Sequence, residues 1–365
     1  MKLGIVYHQF LRRGGLEGYL LRFCTELATA GHSLHLAGVD ADHEFRRLAD
    51  SVQLFPRGLT RAGTMTAFAT ATAALAERWE VDAILGFGRT FHQDIHRAGG
   101  GCHARYSRDL PWWKRWSRKN LRELHLESLL YTSGQTRRFV VNSKKVAAEL
   151  SSFHKVNPDT IRVIHTAVDT SHWQPAANRS ELRASLGLPP SSPLLLFASL
   201  DHRRKGLPTL LSALAALPRK DIHLAVAGKP LGPWRSRIAS LGLSSRIHEA
   251  GHQQDLRPWY QSADLFVHPS QYDACANTVL QSMACALPGI ISSEDGASEF
   301  IHHGSNGWIL TDPHCPNQLA NLIATALASP LAEAGHRART AMLPLTWQHH
   351  LDSWMPLLHE ARSLR

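Results

Sequence analysis

Short apolar runs of strand length alternate with amphipathic helical segments along this chain, and the alternation stops once and restarts. Residues 3–7 read as a buried strand. A Gly14-Gly15 turn follows, and residues 16–30 then place Leu16, Leu20, Phe23 and Leu27 at helical spacing, with Gly31 positioned to end the helix. Residues 33–39 read as the next strand, 67–78 as a helix, and 83–87 as a strand carrying Gly86 and followed by Gly88. Residues 138–142 and 162–165 read as further short strands. Between residues 166 and 193, Trp173, Pro175, Pro189, Pro190 and Pro193 interrupt a polar stretch. The rhythm then resumes, with strands at 194–198, 223–227, 265–268 and 289–292 and helices at 208–217 and 277–285. Strands that alternate with helices pair in parallel, with helices covering both faces of the sheet. The expectation is an α/β protein of two Rossmann-like, doubly wound domains that face each other across a cleft, since open sheets of this kind bind ligands beyond the carboxyl ends of their strands. The expected boundaries are 1–168, 169–345 and a C-terminal helix at 346–365. That helix is amphipathic through Trp347, Leu351, Trp354, Leu357 and Leu358, and is expected to pack back on the N-terminal domain. A length of 365 residues leaves room for two cores.

Composition narrows the function. Lys and Arg number 40 against 30 Asp and Glu, a net charge of +10, with 23 histidines besides. A chain this basic favours an anionic partner: nucleic acid, an anionic membrane surface or a phosphorylated substrate. No recognised nucleic-acid motif accompanies the charge, so no nucleic-acid partner is expected. No apolar run approaches the ~18 residues of a membrane span, and the N-terminus has no small-residue cleavage site, so a cytoplasmic location is expected. The cysteines at 24, 102, 275, 285 and 315 form no CxxC pair, which disfavours a disulfide framework or a zinc site.

Three segments carry chemistry. Gly14-Gly15 between a strand and a helix start lets backbone approach a phosphate or sugar closely. His202-Arg203-Arg204-Lys205-Gly206 follows a strand, where cations would neutralise a leaving pyrophosphate. Residues 269–281 place polar groups after a buried strand and open a helix near Asn277, an N-cap residue type, with Asp273 and Gln281 bracketing the helix start. Each segment alone also fits an ordinary turn or cap.

Together these segments resemble the retaining glycosyltransferases of GT-B fold, the "glycosyltransferases group 1" superfamily. The likeness is strongest over residues 194–206 and 222–310, including Val226-Ala227-Gly228, residues 263–270, residues 279–288 and Gly304-x-x-Gly307. The N-terminal half most resembles the lipopolysaccharide core glucosyltransferases, through Gly86-Phe87-Gly88-Arg89, Asp94 and Ala98-Gly99-Gly100-Gly101-Cys102. The resemblance implies a role for each position. Gly14 and Gly15 would lie near the transferred sugar and the phosphates, and Arg204 and Lys205 would hold the pyrophosphate. Asp273 and Gln281 stand where the family has paired glutamates, near the donor sugar and the ribose. The amides of Asn277 and Thr278 would support the phosphates. Asp94 would face sugar hydroxyls, and Gly251 and His252 would flank the base. No cofactor or metal is implied; a nucleoside-diphosphate sugar is the co-substrate and a glycolipid or glycan the acceptor.

The chain departs from the family at three places. Both glutamates are replaced, Ser199 stands where many relatives carry a second phosphate-binding arginine, and residues 166–169 lack the usual interdomain glycine. The substituted glutamates also admit a non-catalytic nucleotide-sugar-binding relative. A dinucleotide-dependent oxidoreductase is the other alternative, and the missing G-x-G-x-x-G after the first strand counts against it. Finally, Trp112, Trp113 and Trp116 interleave with Lys114, Arg115 and further basic residues through Arg122. This pattern fits an interfacial patch on an anionic bilayer, peripheral on the inner face of the cytoplasmic membrane. The alternative is a helix with its tryptophans packed inward.

Overall fold

The computed structural model describes every residue except 12 and 13. It divides into two units, Met1–Thr166 together with Trp347–Arg365, and Ala167–Thr346.

The first unit is built on a seven-stranded sheet: β1 (Lys2–Val6), β2 (Ser33–Gly38), β3 (Ser51–Leu54), β4 (Ala83–Gly86), β5 (Gln93–Arg97), β6 (Thr136–Val141) and β7 (Ile161–Val163). The strands run in the order β3-β2-β1-β4-β5-β6-β7, and every pair is parallel. Central β1 reads as a continuous apolar run because both its faces are covered. Leu3, Ile5 and Val6 are all buried. Helix α1 (Gly15–Thr29) turns Leu20, Phe23 and Leu27 onto the sheet. Gly31 ends it in the left-handed region at φ +82°, and the His32 amide donates to Leu27 O at 3.1 Å, a closure that returns the chain directly into β2. Among the helices that follow β5 are the single turn α2 (Trp112–Arg115) and α3 (Arg118–Thr132).

Strand β5 was not visible to hydropathy. Its sequence, Gln-Asp-Ile-His-Arg, is four-fifths polar, yet all five residues are buried. The polar groups find partners inside. Gln93 accepts from the Thr90 hydroxyl and donates to Thr136 Oγ1, and Asp94 accepts the Ile84 amide at 2.8 Å.

The second unit holds β8 (Leu194–Ser199), β9 (His223–Gly228), β10 (Ile247–Gly251), β11 (Leu265–His268), β12 (Gly289–Ser292) and β13 (Gly307–Leu310), in the all-parallel order β10-β9-β8-β11-β12-β13. Helix α4 (Leu207–Ala216) follows β8, and α5 (Asn277–Ala284) follows β11. The chain winds outward from β8 in one direction and from β11 in the other. The crevice at the carboxyl ends of these two strands is therefore the switch point where such sheets take ligands. The last helix, α6 (Trp347–Ser363), belongs to the first unit. Its Leu351, Trp354, Leu357 and Leu358 share one apolar cluster with Leu3, Ile5 and Phe23.

Candidate active site

The second unit's switch point gathers the charged residues singled out in the sequence. After β8, Ser199 Oγ accepts the Asp201 amide at 2.9 Å and starts a tight turn that the Lys205 amide closes onto Asp201 O at 3.0 Å. Gly206, at φ +86°, lets this turn lie against the loop after β11; a Cβ there would stand 2.0 Å from Pro269 O. The two loops are then bonded together. The Gln271 amide donates to Arg204 O, and Arg204 Nη1 donates to Tyr272 O, both at 2.8 Å. Ser199 serves here as a cap for the turn.

This docking brings Lys205 and Asp273 into direct ionic contact, with Arg204 Nη1 3.5 Å from the same carboxylate. Lys205 Nζ also lies 3.2 Å from His268 Nε2, and His268 Nε2 lies 3.3 Å from Asp295 Oδ2. Burial pushes the Lys205 ammonium down to about 7, opposed by the nearby Asp295 charge. Burial and the adjacent Lys205 push His268 down to about 4, so its imidazole is neutral at pH 7. Burial works against the Asp295 carboxylate. Its bond to His268 and the His268 and Lys205 charges outweigh that, and its carboxyl sits at about 2. Neither His268 nor Asp295 was marked as a site residue. The strand run 265–268 locates the first, but no sequence signal points to the second.

Helix α5 begins with Ala276 as N-cap and no capping side chain, so Asn277 is its first helical residue and not its cap. That start presents first-turn amides and the positive end of the helix dipole beside Asp273. Gln281, one turn on, accepts from the buried Tyr260 hydroxyl at 3.3 Å. Gly251 closes β10 at φ +66°, and His252 beyond it is exposed.

In the first unit, Gly14 is the N-cap of α1 and Gly15 its first residue, beyond the carboxyl end of β1. A Cβ on Gly14 would meet Glu17 Oε2 at 2.7 Å, and Glu17 is held by the Tyr7 hydroxyl at 2.8 Å.

Asp94 requires a correction. It sits near the amino end of β5, where its carboxylate accepts the amide of Ile84 near the start of β4 and faces Arg137 at 3.7 Å and Arg365 at 3.5 Å. That is the edge of the sheet opposite Gly14 and Gly15, so Asp94 ties strands together and does not face a sugar at the carboxyl edge. The residue of β5 that does reach the carboxyl edge is Arg97, which the sequence reading passed over. Its guanidinium is buried, stacks 3.6 Å over the Tyr19 ring and donates to Thr166 Oγ1 at 3.1 Å. No carboxylate pairs with it among the described residues. Gly99 makes room for it, since a Cβ there would lie 1.9 Å from Arg97 Nη1.

Two groups of side chains have the composition of a metal site. His268, Asp273 and Asp295 bring their ligand atoms within 4.8 Å of one another, but the Lys205 ammonium already contacts two of the three. In the other, Cys102, Glu127 and His154, the Glu127 carboxylate caps a helix by accepting the His103 and Ala104 amides at 2.7 and 2.8 Å, and burial pushes the Cys102 thiol up to about 12. The chain also contains one Asp-x-Asp triplet, Asp40-Ala41-Asp42, which the sequence reading overlooked. Asp42 caps a short helix and Asp40 pairs with Arg57.

The tryptophan segment corrects the inward-packed alternative. Trp112, Trp113 and Trp116 are 74%, 60% and 69% exposed, with Lys114, Arg115, Arg118 and Lys119 exposed among them. The segment is anchored from behind by Asn120, whose Nδ2 donates to Arg115 O and Ser107 Oγ. No helix among the described residues is long and apolar enough to cross a membrane.

Comparison with known proteins agrees with this architecture. The "Glycosyl transferases group 1" family matches residues 192–329 and "Glycosyltransferase Family 4" matches residues 13–172, one on each unit. The chain is a glycosyltransferase of GT-B fold. It is similar to the lipopolysaccharide glucosyltransferase WaaG of Escherichia coli, at 21% identity over 92% of both chains. The crystal structure of WaaG superimposes with a TM-score of 0.82 at 20% identity, covering 99% of each chain. Anabaena HepE in complex with UDP-glucose shares the fold at a TM-score of 0.75 and 18% identity, over the whole of both chains. The D-inositol 3-phosphate glycosyltransferase of Arthrobacter is 31% identical over 56% of this chain, which spans about half (51%) of that relative.

Proposed function

We propose that this glycosyltransferase is a retaining, metal-independent hexosyltransferase. It moves a sugar from a nucleoside diphosphate to a lipopolysaccharide core or other envelope glycan, at the cytoplasmic face of an anionic membrane. The observation that carries the reading is the meeting of Arg204, Lys205, Asp273 and the start of α5 at the switch point of the second sheet. As the anomeric C–O bond breaks, negative charge develops on the leaving diphosphate. Two fixed cations and a helix N-terminus stabilise that charge more than they stabilise the bound donor, which is what lowers a barrier. In this reading the acceptor hydroxyl attacks on the face the diphosphate leaves, the departing phosphate takes its proton, and the anomeric configuration is kept. Asp273 serves the donor sugar, Gln281 the ribose, Gly251 and His252 the base, and Gly14 and Gly15 the transferred sugar. The likeness to WaaG supports the acceptor class, and complexes of HepE with UDP and UDP-glucose support the donor class. The exposed tryptophans and lysine-arginine pairs supply an apolar and cationic surface suited to anionic headgroups.

The test is a panel of UDP- and ADP-sugars with truncated lipopolysaccharide as acceptor, reading released nucleotide, followed by NMR of the product's anomeric proton. Release that depends on acceptor, with configuration kept, is the expected result. Inversion would refute the stereochemistry. Tight nucleotide-sugar binding without release across the panel would favour the non-catalytic reading, which the existing Lys205–Asp273 contact also accommodates.

A further inference from the structure

Two of the carboxylates around Lys205, Asp273 and Asp295, differ in kind. Asp273 lies on the loop that, in the function proposed above, meets the donor sugar. Asp295 is wholly buried and fixed. Its Oδ1 accepts the Ala276 amide at 3.1 Å and the Ala297 amide at 2.8 Å, which locks it between the start of α5 and the turn after β12. The flanking backbone ties the same segment to Asp273, through the Asp273 amide to Glu294 O at 3.0 Å and the Gly296 amide to Asp273 O at 3.1 Å.

Between Asp295 and Lys205 stands one ring nitrogen. His268 is fully buried, its Nδ1 has no hydrogen-bond partner, and its Nε2 faces both Lys205 Nζ and Asp295 Oδ2. A neutral imidazole nitrogen either donates or accepts. Nε2 therefore accepts from the ammonium, or donates to the carboxylate, and cannot do both at once. Oδ2 has no other partner, so its charge is directed at the ring and the ammonium behind it.

We infer that Asp295, acting through His268, is the fixed counter-charge that keeps Lys205 an ammonium at the donor diphosphate. The inference rests on the proposed role of Lys205 as the cation facing that diphosphate. Asp295 is a positioning residue: it touches neither donor nor acceptor. The other groups facing Lys205 are Asp201 and Arg204 on its own turn, and Asp273 and Cys275 on the loop after β11. Of the acids, Asp201 is half exposed, and Asp273 is the one that serves the donor sugar in the function proposed above. Asp295 is the one acid that is wholly buried and held by backbone amides, and a buried ammonium needs such a partner to remain protonated.

The experiment titrates the protein labelled with lysine carrying 13C at Cε, with the Lys205 signal identified by its loss in Lys205→Arg. Asp295→Asn keeps an oxygen for the two amides and removes the charge; Asp295→Ser does the same with a smaller cap. Either variant, folded as judged by thermal unfolding, is expected to lower the Lys205 midpoint by at least about one pH unit. Titration calorimetry with UDP, ADP and GDP is expected to show about tenfold weaker binding of the accepted diphosphate at pH 8 and no more than about a threefold loss at pH 6, because the midpoint shift matters only where wild-type Lys205 is losing its proton. An unmoved midpoint, or an equal loss of affinity at both pH values, overturns the inference. If no diphosphate binds wild type while the midpoint still moves, the counter-charge assignment stands and the donor reading is what fails.

Discussion

Replacing Lys205 by methionine separates what the residue does for catalysis from what it does to stability. Methionine keeps most of the buried stem and removes the charge. One preorganised charge at a developing anion is worth about 10²-fold or more, so kcat/KM should fall by at least that factor, about 2.7 kcal/mol of transition-state stabilisation. Stability should respond in the opposite sense near neutrality. The ammonium titrates at about 7 in the folded chain and at 10.5 when unfolded, so between those values the unfolded state holds the extra proton. Stability conferred at this site is therefore least below pH 7 and rises with pH toward 10.5. Between pH 7 and 9 the wild type should gain about 2 kcal/mol that the methionine variant does not, or ~4–8 °C in Tm for a unit of this size. Loss of the ammonium beside Asp273 sets the level of the variant's stability but not its slope in this window, since Asp273 keeps Arg204 nearby. Paired melting curves from pH 6 to 9 with steady-state kinetics on the same samples decide the matter. A Tm difference that is flat in pH would refute the buried-ammonium reasoning, and near-wild-type turnover would refute the catalytic role.

Three further outcomes follow from the geometry. Gln281→Leu leaves the buried Tyr260 hydroxyl without its acceptor, so it should cost about 1–2 kcal/mol in denaturant unfolding and raise the donor KM roughly tenfold with little change in kcat, whereas Gln281→Glu should lower that KM or leave it unchanged. Changing Trp112, Trp113 and Trp116 together to alanine should abolish co-sedimentation with anionic vesicles while leaving stability within about 0.5 kcal/mol, because the rings pack on solvent; wild type that binds zwitterionic vesicles equally well would remove the membrane role. Asp94→Asn keeps an acceptor for the Ile84 amide, so kcat/KM should stay within about twofold, and a loss approaching that of Lys205→Met would return Asp94 to the active site.

Apolar strands were legible because burial on both faces writes itself as a run of Leu, Ile, Val and Ala. Residues 265–268 and 289–292 coincide with β11 and β12, and 194–198 misses only the last residue of β8. The same signal failed at β5, where Gln93 is buried by bonding to Thr90 and Thr136 and Asp94 by accepting the Ile84 amide. It failed again at β10, whose residues are only partly covered, at the mostly exposed β3, and at the four-residue β13, whose apolar run was not marked. Hydropathy reports how much water a residue sheds, not how its hydrogen bonds are replaced, and a polar buried strand therefore reads as a loop. The role of Asp94 came from the family resemblance, and without the strand nothing distinguished its amino end from the carboxyl end that Arg97 occupies.

The candidate site shows the second limit. Its loops were each visible in the sequence, as a basic turn after one strand and a polar segment after another, and the family resemblance joined them. Their physical meeting depends on strand order. Because β8 pairs with β11 and β11 with β12, the residues that follow these three strands share one edge of the sheet, and Lys205, His268, Asp273 and Asp295 converge from positions up to 90 residues apart. Glycine then sets how closely they approach. Gly206 admits Pro269 O, and Gly228 admits Ser199 O, at distances no side chain would allow. A buried aspartate such as Asp295 leaves no mark in its own neighbourhood of the sequence, because the groups that justify its burial, two amides and an imidazole, belong to other segments or to the backbone. Residues of this kind are found by asking of each buried charge what it is paired with. Here that question leads from a lysine at the ligand edge, through one histidine, to its counter-charge.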